Sequence, residues 1–315
     1  MIDTRLILLF CAFFSMSLTW AQTSPSAPVP QVESGHIERI TSMPSQFVDA
    51  RHIDVWLPDH FETLKAKGQR FQVIYMHDGQ MLFDPNTTWN KQAWHVDRAI
   101  AQLMASGKLA PTLVVGIWNR GPYRHSEYFP QKFLQYMQAE FKQPLIAQAL
   151  QNKPQSDAYL RFLTQELKPY IDAHYPTLPD PEHTAIMGSS MGGLISIYAL
   201  SEYPQIFGSA AGLSTHWMGT FAPNAHIPLA AYNYLQQHLP DAKGHKIYQD
   251  HGTTELDANY AIYQVFVNQI LRDKGYQETS PAPNFMTKVY EGTGHNELAW
   301  AQRLTKPLQF LFQNK

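Results

Sequence analysis

The sequence predicts an α/β protein, with a mostly parallel central sheet of about eight strands and helices on both faces. Short apolar runs alternate along the chain with longer amphipathic runs. Several of the apolar runs are continuous in Val, Ile and aromatic residues, which is typical of strands buried on both faces of a sheet. Strands that alternate with helices favour parallel pairing.

The elements follow from these runs. Strands are predicted at His36–Ser42, His52–Leu57, Gln72–His77, Thr112–Trp118, Thr184–Gly188, Gly208–Leu213, Lys246–His251 and Phe285–Tyr290. Helices are predicted at Lys91–Ser106, Asp157–His174, Met191–Glu202, Ala258–Lys274 and Glu297–Phe312. Residues 121–156 and 216–244 are predicted to be long connections, which in a compact domain are often functional.

The composition excludes several classes of protein. The 24 Lys and Arg residues against 26 Asp and Glu give a net charge of −2, so no basic surface for nucleic acid is expected. Aromatic residues at 13% and charged residues at only 16% argue against a disordered chain. The single cysteine excludes a disulfide scaffold and a cysteine-based zinc site.

Residues 1–21 are expected to be an export signal. The run from Leu6 to Trp20 is almost wholly apolar, and Ala21 and a polar, Pro-rich stretch follow it. A membrane span needs roughly 20 apolar residues, so this run is too short to be the better candidate for one. We expect cleavage after Ala21, a flexible linker at 22–33, a domain at 34–315, a periplasmic or secreted location and no stable membrane insertion. An uncleaved anchor is the alternative.

A glycine-rich turn carries the strongest chemical signal. The residues from Gly188 to Gly193 (GSSMGG) contain a G-x-S-x-G motif between an apolar run and a helical run. A nucleophile elbow requires this order of strand, tight turn and helix, with the serine side chain above the sheet. The sequence therefore predicts Ser190 as a nucleophile, at a helix N-terminus that favours a developing anion.

A serine nucleophile needs a base, and the base is oriented by an acid. His295 follows the last predicted strand and lies 105 residues after Ser190 (295 − 190), in the chain order expected for a base. Glu255 and Asp257 are both candidates for the acid. Asp257 also fits the N-cap of the next helix, and Glu255 also fits a solvated loop.

Two backbone N–H groups are expected to form the oxyanion hole. One belongs to Met191, directly after the nucleophile, and the other to Gln80 in the loop that follows the strand Gln72–His77. Gly79 is expected to let that loop approach the substrate. His77 and Asp78 are adjacent at the strand end, but no metal-site spacing accompanies them, so we expect neither a metal nor a cofactor.

These residues resemble the putative esterase family of α/β hydrolases, which includes siderophore, feruloyl and acetyl-xylan esterases and mycolyltransferases. The similar stretches include YMHDGQ at 75–80, WHVD at 94–97, GSSMGG at 188–193, DHGT at 250–253 and GHNE at 294–297. The resemblance implies an α/β-hydrolase fold and a catalytic Ser190 and His295. It favours Asp257 over Glu255 as the acid.

The expected function is therefore hydrolysis of a small-molecule carboxylic ester through an acyl-enzyme. A siderophore-type ester is the first hypothesis, a feruloyl or acetyl carbohydrate ester the second, and mycolyltransferase-type acyl transfer the third. Arg120 and Arg124 could bind an anionic substrate or form ordinary ion pairs. Six aromatic residues could line a cleft or belong to the core: Trp89, Trp94, Trp118, Tyr123, Tyr128 and Trp217.

Overall fold

The computed structural model describes residues 27–312. The expected export signal and residues 22–26 of the expected linker lie outside this range. Among the described residues, no helix has the length and apolar character needed to cross a membrane.

The strands of the described chain form one sheet, and the predicted α/β architecture is confirmed. Their bounds are β1 His36–Met43, β2 Arg51–Leu57, β3 Gln72–His77, β4 Thr112–Ile117, β5 Thr184–Ser189, β6 Ser209–Leu213, β7 Lys246–Gly252 and β8 Phe285–Tyr290. Their spatial order is β1-β2-β4-β3-β5-β6-β7-β8. The pairs β1–β2 and β2–β4 are antiparallel. The other six strands, in the spatial order β4-β3-β5-β6-β7-β8, pair in parallel.

Helices connect the strands. They are α1 Phe61–Ala66, α2 Val96–Ala105, α3 Arg124–Tyr128, α4 Ala139–Gln148, α5 Ser156–Arg161, α6 Lys168–His174, α7 Met191–Glu202, α8 His226–His238, α9 Ala261–Asp273, α10 Glu297–Arg303 and α11 Thr305–Phe312. Two hydrophobic cores sandwich the sheet. Alternate residues of β3 show this, since Val73 and Tyr75 belong to one core, with α7, α8 and α9. Ile74 and Met76 belong to the other, with α2 and α11.

Three predicted helices differ from the observed ones. The helix predicted at Lys91–Ser106 begins only at Val96, because His95 has the left-handed φ of 52°. The one predicted at Asp157–His174 is divided by a π-helical segment, Phe162–Leu167. Pro169 follows that segment and has no N–H to continue the hydrogen-bond ladder. Pro307 acts in the same way in the last predicted helix, which is interrupted at Leu304.

Two predicted irregular regions are also more ordered than expected. The connection 121–156 contains α3 and α4, and the connection 216–244 contains α8. The described part of the expected linker, 27–33, is bound to the domain. The N–H of Gln31 donates to Asp84 at 3.0 Å, and the N–H of Glu33 donates to Asp97 at 2.8 Å. These carboxylates hold a segment whose composition alone predicts flexibility.

The strand order decides where a site can form. β3 lies between β4 and β5, so the chain leaves β3 toward one side of the sheet and later returns as β5 on the other. At such a switch point, the loops after neighbouring parallel strands open a crevice at their carboxyl ends. The loop after β3 and the turn after β5 therefore emerge side by side.

Candidate active site

Ser190 occupies the turn between β5 and α7. Its φ of 56° and ψ of −123° lie outside the regions that L-residues normally adopt, so its backbone is strained. The Ser190 N–H donates to the carbonyl of Leu213 at 2.9 Å, and the Ser190 carbonyl accepts from the N–H of His216 at 3.2 Å. Bonds to the end of β6 and to the loop that follows it thus hold the turn in this conformation.

Gly188 is required by the close approach of the two arms of the turn. A Cβ atom at Gly188 would lie 2.8 Å from the carbonyl carbon of Gly192. Because this contact is with backbone, no side chain could move aside to relieve it. The tight strand-to-helix turn expected from the sequence is therefore present.

His295 lies in the loop between β8 and α10, and its ring is bonded to Asp257. Nδ1 of His295 is 2.6 Å from Oδ1 of Asp257, whose side chain is completely buried. Burial alone would raise the pKa of Asp257, but hydrogen bonds from His295, Ser214 and the Gly252 N–H outweigh it and lower the pKa. The carboxyl group is therefore ionised at neutral pH.

Glu255, the other candidate acid, binds a different part of His295. Its Oε2 accepts the backbone N–H of His295 at 2.7 Å. The sequence alternative of an N-cap for Asp257 is not what the structure shows, because α9 begins at Ala261 with Tyr260 as its flanking residue. Asp257 instead lies in a short 3₁₀ turn, Glu255–Asn259.

Ser214, which directly follows β6, holds the far side of the Asp257 carboxylate. The Ser214 hydroxyl donates to Oδ2 of Asp257 at 2.6 Å, and the Gly252 N–H donates to the same oxygen at 2.6 Å. Trp300 and Arg303 in turn donate to the Ser214 hydroxyl, each at 2.9 Å. The sequence interpretation did not include Ser214. Its position at the carboxyl end of β6, the strand next to β5 and the Ser190 turn, was the available signal.

Tyr260 and His216 are two further neighbours that the sequence interpretation missed. The Tyr260 ring meets the His295 ring edge-on at 5.7 Å, and its hydroxyl, which faces Ser190, lies 2.5 Å from Nδ1 of His216. Burial lowers the pKa of His216 to about 3, so this ring is neutral. The neutral polar side chains of Tyr260 and His216 therefore lie beside Ser190.

The loop after β3 presents the second expected oxyanion donor. Gln80 lies in a single 3₁₀ turn, Gly79–Met81, and its side chain accepts the N–H of Asn119 at 3.1 Å. Within residues 27–312, no backbone acceptor outside its own turn or helix receives the N–H of Gln80 or of Met191. Gly79 is required by packing on β4, since a Cβ there would lie 2.6 Å from the backbone of Gly116. Its expected role in the approach to a substrate stays a prediction.

Asp78 anchors this loop through an ion pair. Its carboxylate accepts two hydrogen bonds from Arg124, both at 2.7 Å, and a third from Asn119 at 2.7 Å. Burial alone would raise the pKa of Asp78, but Arg124 outweighs it and lowers the pKa. Of the two expected roles of Arg124, the ion pair is therefore observed. Across residues 27–312, no group of three or more His, Cys, Asp or Glu side chains is arranged to hold a metal ion.

The aromatic candidates divide between the core, half-buried positions (Trp118 and Tyr123) and the surface. Trp94, Tyr128 and Trp217 are buried, whereas 84% of Trp89 is exposed. Phe221, which the sequence interpretation did not single out, is 83% exposed, and its ring lies 6.1 Å from that of His216. Phe221 therefore projects into solvent beside His216.

Comparisons with known proteins place the chain among esterases. A family model described as "Putative esterase" matches residues 45–311. The uncharacterized protein YbbA of Bacillus subtilis is 23% identical over 159 residues, which is 49% of this chain and 59% of that protein. The endo-1,4-beta-xylanase/feruloyl esterase of Xylanibacter ruminicola is 24% identical over 283 residues, which is 90% of this chain and 32% of that protein. The chain thus spans 59% and 32% of the lengths of these relatives.

Solved structures share the fold. A ferulic acid esterase superposes with a TM-score of 0.62 at 20% identity, over 88% of this chain and 98% of that one. The enterobactin esterase of Shigella flexneri, in the presence of enterobactin, superposes with a TM-score of 0.64 at 17% identity, over 90% of this chain and 60% of that one. At these identities the likeness shows the α/β-hydrolase architecture.

Proposed function

The chain belongs to the putative esterase family, and from this premise we propose that it is a serine carboxylic-ester hydrolase. Ser190 is the nucleophile, His295 the general base and Asp257 the acid that orients it. The observation that carries the proposal is the 2.6 Å bond between a buried, ionised Asp257 and the His295 ring, on the same edge of the sheet as a strained serine turn.

The proposed reaction has two steps. Ser190 attacks the ester carbonyl while His295 takes its proton, and the alcohol leaves as His295 returns that proton. His295 then removes a proton from water, which attacks the acyl-serine, and it gives that proton to the Ser190 oxygen as the acid is released. The N–H groups of Met191 and Gln80 hold the oxyanion in both steps.

The proposal is tested by turnover of p-nitrophenyl acetate. Ser190→Ala and His295→Ala are each expected to lower kcat by at least about 10³-fold, because each removes a member of the reacting unit. Ser196→Ala is the matched control, since the Ser196 hydroxyl is bonded to Gly192 within α7. Near-full activity in Ser190→Ala would overturn the assignment of the nucleophile.

We propose a small-molecule ester as substrate, with a siderophore-type ester as the first candidate. The fold shared with an enterobactin esterase supports this candidate. Arg120 supports it too, since this exposed residue follows Asn119, whose N–H bonds to the Gln80 side chain. An enterobactin-like trilactone turned over with a higher kcat/KM than methyl ferulate would bear it out.

A feruloyl or acetyl carbohydrate ester is the second candidate. The similarity to the endo-1,4-beta-xylanase/feruloyl esterase of Xylanibacter ruminicola, which extends over 90% of this chain, favours it. The exposed Phe221 beside His216 favours it as well, because an exposed aromatic ring can stack on an aromatic acyl group. Preference for methyl ferulate or acetylated xylan over the trilactone would select this candidate.

Acyl transfer of the mycolyltransferase type is a weaker candidate. Such a reaction requires water to be kept from the acyl-enzyme. The His295 side chain remains 13% exposed, which favours water as the acceptor. Product analysis with added alcohol or sugar acceptors distinguishes the two reactions, since a transferase yields a new ester and a hydrolase yields the free acid.

We also propose export, with cleavage after Ala21. The apolar run at 6–20 and the polar stretch after it support this. Mass spectrometry of the protein from a periplasmic or extracellular fraction is expected to find a chain that begins at Gln22. An intact Met1 in that fraction would indicate the uncleaved anchor.

A further inference from the structure

The geometry points to Ser214 as a positioning residue of the esterase reaction, acting through Asp257. We infer that its hydroxyl sets the orientation and basicity of the Asp257 carboxylate, and so the protonation of His295. This inference rests on the proposed function, in which Asp257 orients His295.

The direction of each hydrogen bond at Ser214 is fixed by chemistry. Trp300 Nε1 and the Arg303 guanidinium can only donate, and both lie 2.9 Å from the Ser214 oxygen. They occupy the two lone pairs of the hydroxyl. Its single proton is therefore left for Oδ2 of Asp257, at 2.6 Å. The bond to Asp257 has one possible polarity, and it stabilises the ionised carboxylate.

The carboxylate is held on both sides as a result. Ser214 and the Gly252 N–H both bind Oδ2, whereas Oδ1 faces Nδ1 of His295. Rotation of the carboxyl group would break the two bonds at Oδ2. Ser214 thus keeps Oδ1 in the plane where it can orient the imidazole.

The backbone of Ser214 is itself strained. Its φ of 47° is uncommon for a residue other than Gly, Asn or Asp. Its backbone N–H donates to Oδ1 of Asp250 at 3.1 Å, and Asp250 also pairs with Arg303 at 2.9 Å. Strained residues persist where the surroundings over-determine them, and they concentrate at functional sites. The strain and the single possible hydrogen-bond polarity are independent observations on the same residue.

The charged and titratable groups that face Asp257 define what a change at Ser214 can do. They are His295 at 2.6 Å, Arg303, whose Nη2 lies 4.0 Å from Oδ2, and Tyr260, whose pKa is raised by burial and by the Asp257 charge so that its hydroxyl stays protonated. Asp250 balances the charge of Arg303. A substitution that removes the Ser214 hydroxyl takes one hydrogen-bond donor from the Asp257 carboxylate, which becomes a stronger base toward His295. The acidic limb of the kcat/KM profile is then expected to move to higher pH.

The test compares Ser214→Gly and Ser214→Ala with wild type. Glycine removes the hydroxyl and accepts the positive φ, so this variant remains informative if the alanine variant folds poorly. Ser209→Ala is the matched control, because Ser209 is a buried serine at the opposite end of β6 whose hydroxyl binds Leu311. Turnover of p-nitrophenyl acetate is measured from pH 5 to pH 9.

We expect both Ser214 variants to lose about 10- to 100-fold in kcat/KM at neutral pH, as for a hydrogen bond to a charged group. We expect their acidic limb to move up by about half to one pH unit, with the Ser209→Ala profile unchanged. An unmoved acidic limb in folded Ser214→Gly would overturn the inference, even if Ser190→Ala is inactive. If Ser190→Ala retained activity, the proposed function itself would fail.

Discussion

Glu255 accepts the backbone N–H of His295 at 2.7 Å and makes no hydrogen bond to the His295 ring. The ring is bonded to Asp257, only two residues along the same 3₁₀ turn. Two neighbouring carboxylates therefore hold one histidine at two different places. Glu255 fixes the path of the loop, and Asp257 fixes the orientation of the imidazole, so the two are not interchangeable.

Asp257→Asn and Glu255→Gln are accordingly expected to differ. An amide side chain at position 257 can present an N–H to His295 and favour the wrong tautomer, so kcat should fall by about 10³- to 10⁴-fold. A glutamine at position 255 keeps an oxygen that can accept the His295 N–H, so kcat should fall by less than about tenfold. Steady-state kinetics with p-nitrophenyl acetate measures both. Equal, small losses would indicate a Ser–His pair that works without an acid.

The ion pair between Asp78 and Arg124 is expected to stabilise both the fold and the loop after β3 that bears the Gln80 N–H. Asp78→Asn leaves a partly buried guanidinium without its charge partner. Because 30% of the Arg124 side chain is exposed, the expected loss in the free energy of unfolding is only about 1–3 kcal/mol. We expect kcat to fall about tenfold as the loop that bears the Gln80 N–H loosens.

Urea unfolding and kcat measure the two effects of Asp78→Asn. Glu33→Gln provides the control, since it removes an ion pair with Arg98 in which both side chains are at least half exposed. Its effect on the free energy of unfolding is expected to stay below about 1 kcal/mol. Similar losses in both variants would show that the Asp78 pair has no special role.

The sequence predicts the strands and the serine turn well because these depend on local pattern. Continuous apolar runs and the spacing of Gly188, Ser190 and Gly192 specify them directly. The support around Asp257 could not be predicted in the same way. Ser214 and Arg303 lie 89 residues apart, and no local pattern links them. The choice between Asp257 and Glu255 also depends on the path of one turn, which residue type and spacing leave open.

Buried neutral histidines are expected to make the protein sensitive to acid. Burial lowers the pKa of His77 to about 3, of His216 to about 3 and of His125 to about 4, from an ordinary value of 6.5. The unfolded chain therefore takes up protons below pH 6.5 that the folded chain does not. The free energy of unfolding is expected to fall below pH 6.5, by up to about 1.4 kcal/mol per pH unit for each histidine.

Urea unfolding at pH 7.5, 6.0 and 5.0 measures this slope. His77→Asn is expected to flatten it by about one proton, whatever its effect on stability at neutral pH. His60→Asn is the control, because His60 is exposed and its φ of 62° is one that Asn adopts readily. A slope unchanged in His77→Asn would mean that the ring titrates normally in the folded protein.

Arg120 is expected to distinguish charged from neutral esters. Arg124 is neutralised by Asp78, whereas Arg120 is exposed next to Asn119, which bonds to Gln80. Arg120→Gln should raise KM about three- to tenfold for an anionic catecholate ester at low salt, with kcat retained. KM for p-nitrophenyl acetate should not change. A KM that rises equally for both esters would contradict a role in charge recognition.

Phe221 offers the sharpest discrimination between the two substrate candidates. Its side chain is 83% exposed and lies against His216, so it loses water only when a ligand covers it. Stacking of an aromatic acyl group is worth about 0.5–1.5 kcal/mol beyond the buried area. Phe221→Ala is therefore expected to raise KM for methyl ferulate about five- to twentyfold and to leave KM for a short aliphatic methyl ester unchanged.

The control for Phe221→Ala is Leu229→Ala, since Leu229 is an exposed apolar residue on α8, 56% exposed. It tests whether loss of any exposed apolar side chain in this region has the same effect. Equal KM values for methyl ferulate in wild type and Phe221→Ala would remove the structural support for an aromatic acyl group. A rise for methyl ferulate without a rise for the enterobactin-like trilactone, whose catechol groups are also aromatic, would favour the feruloyl candidate over the siderophore one.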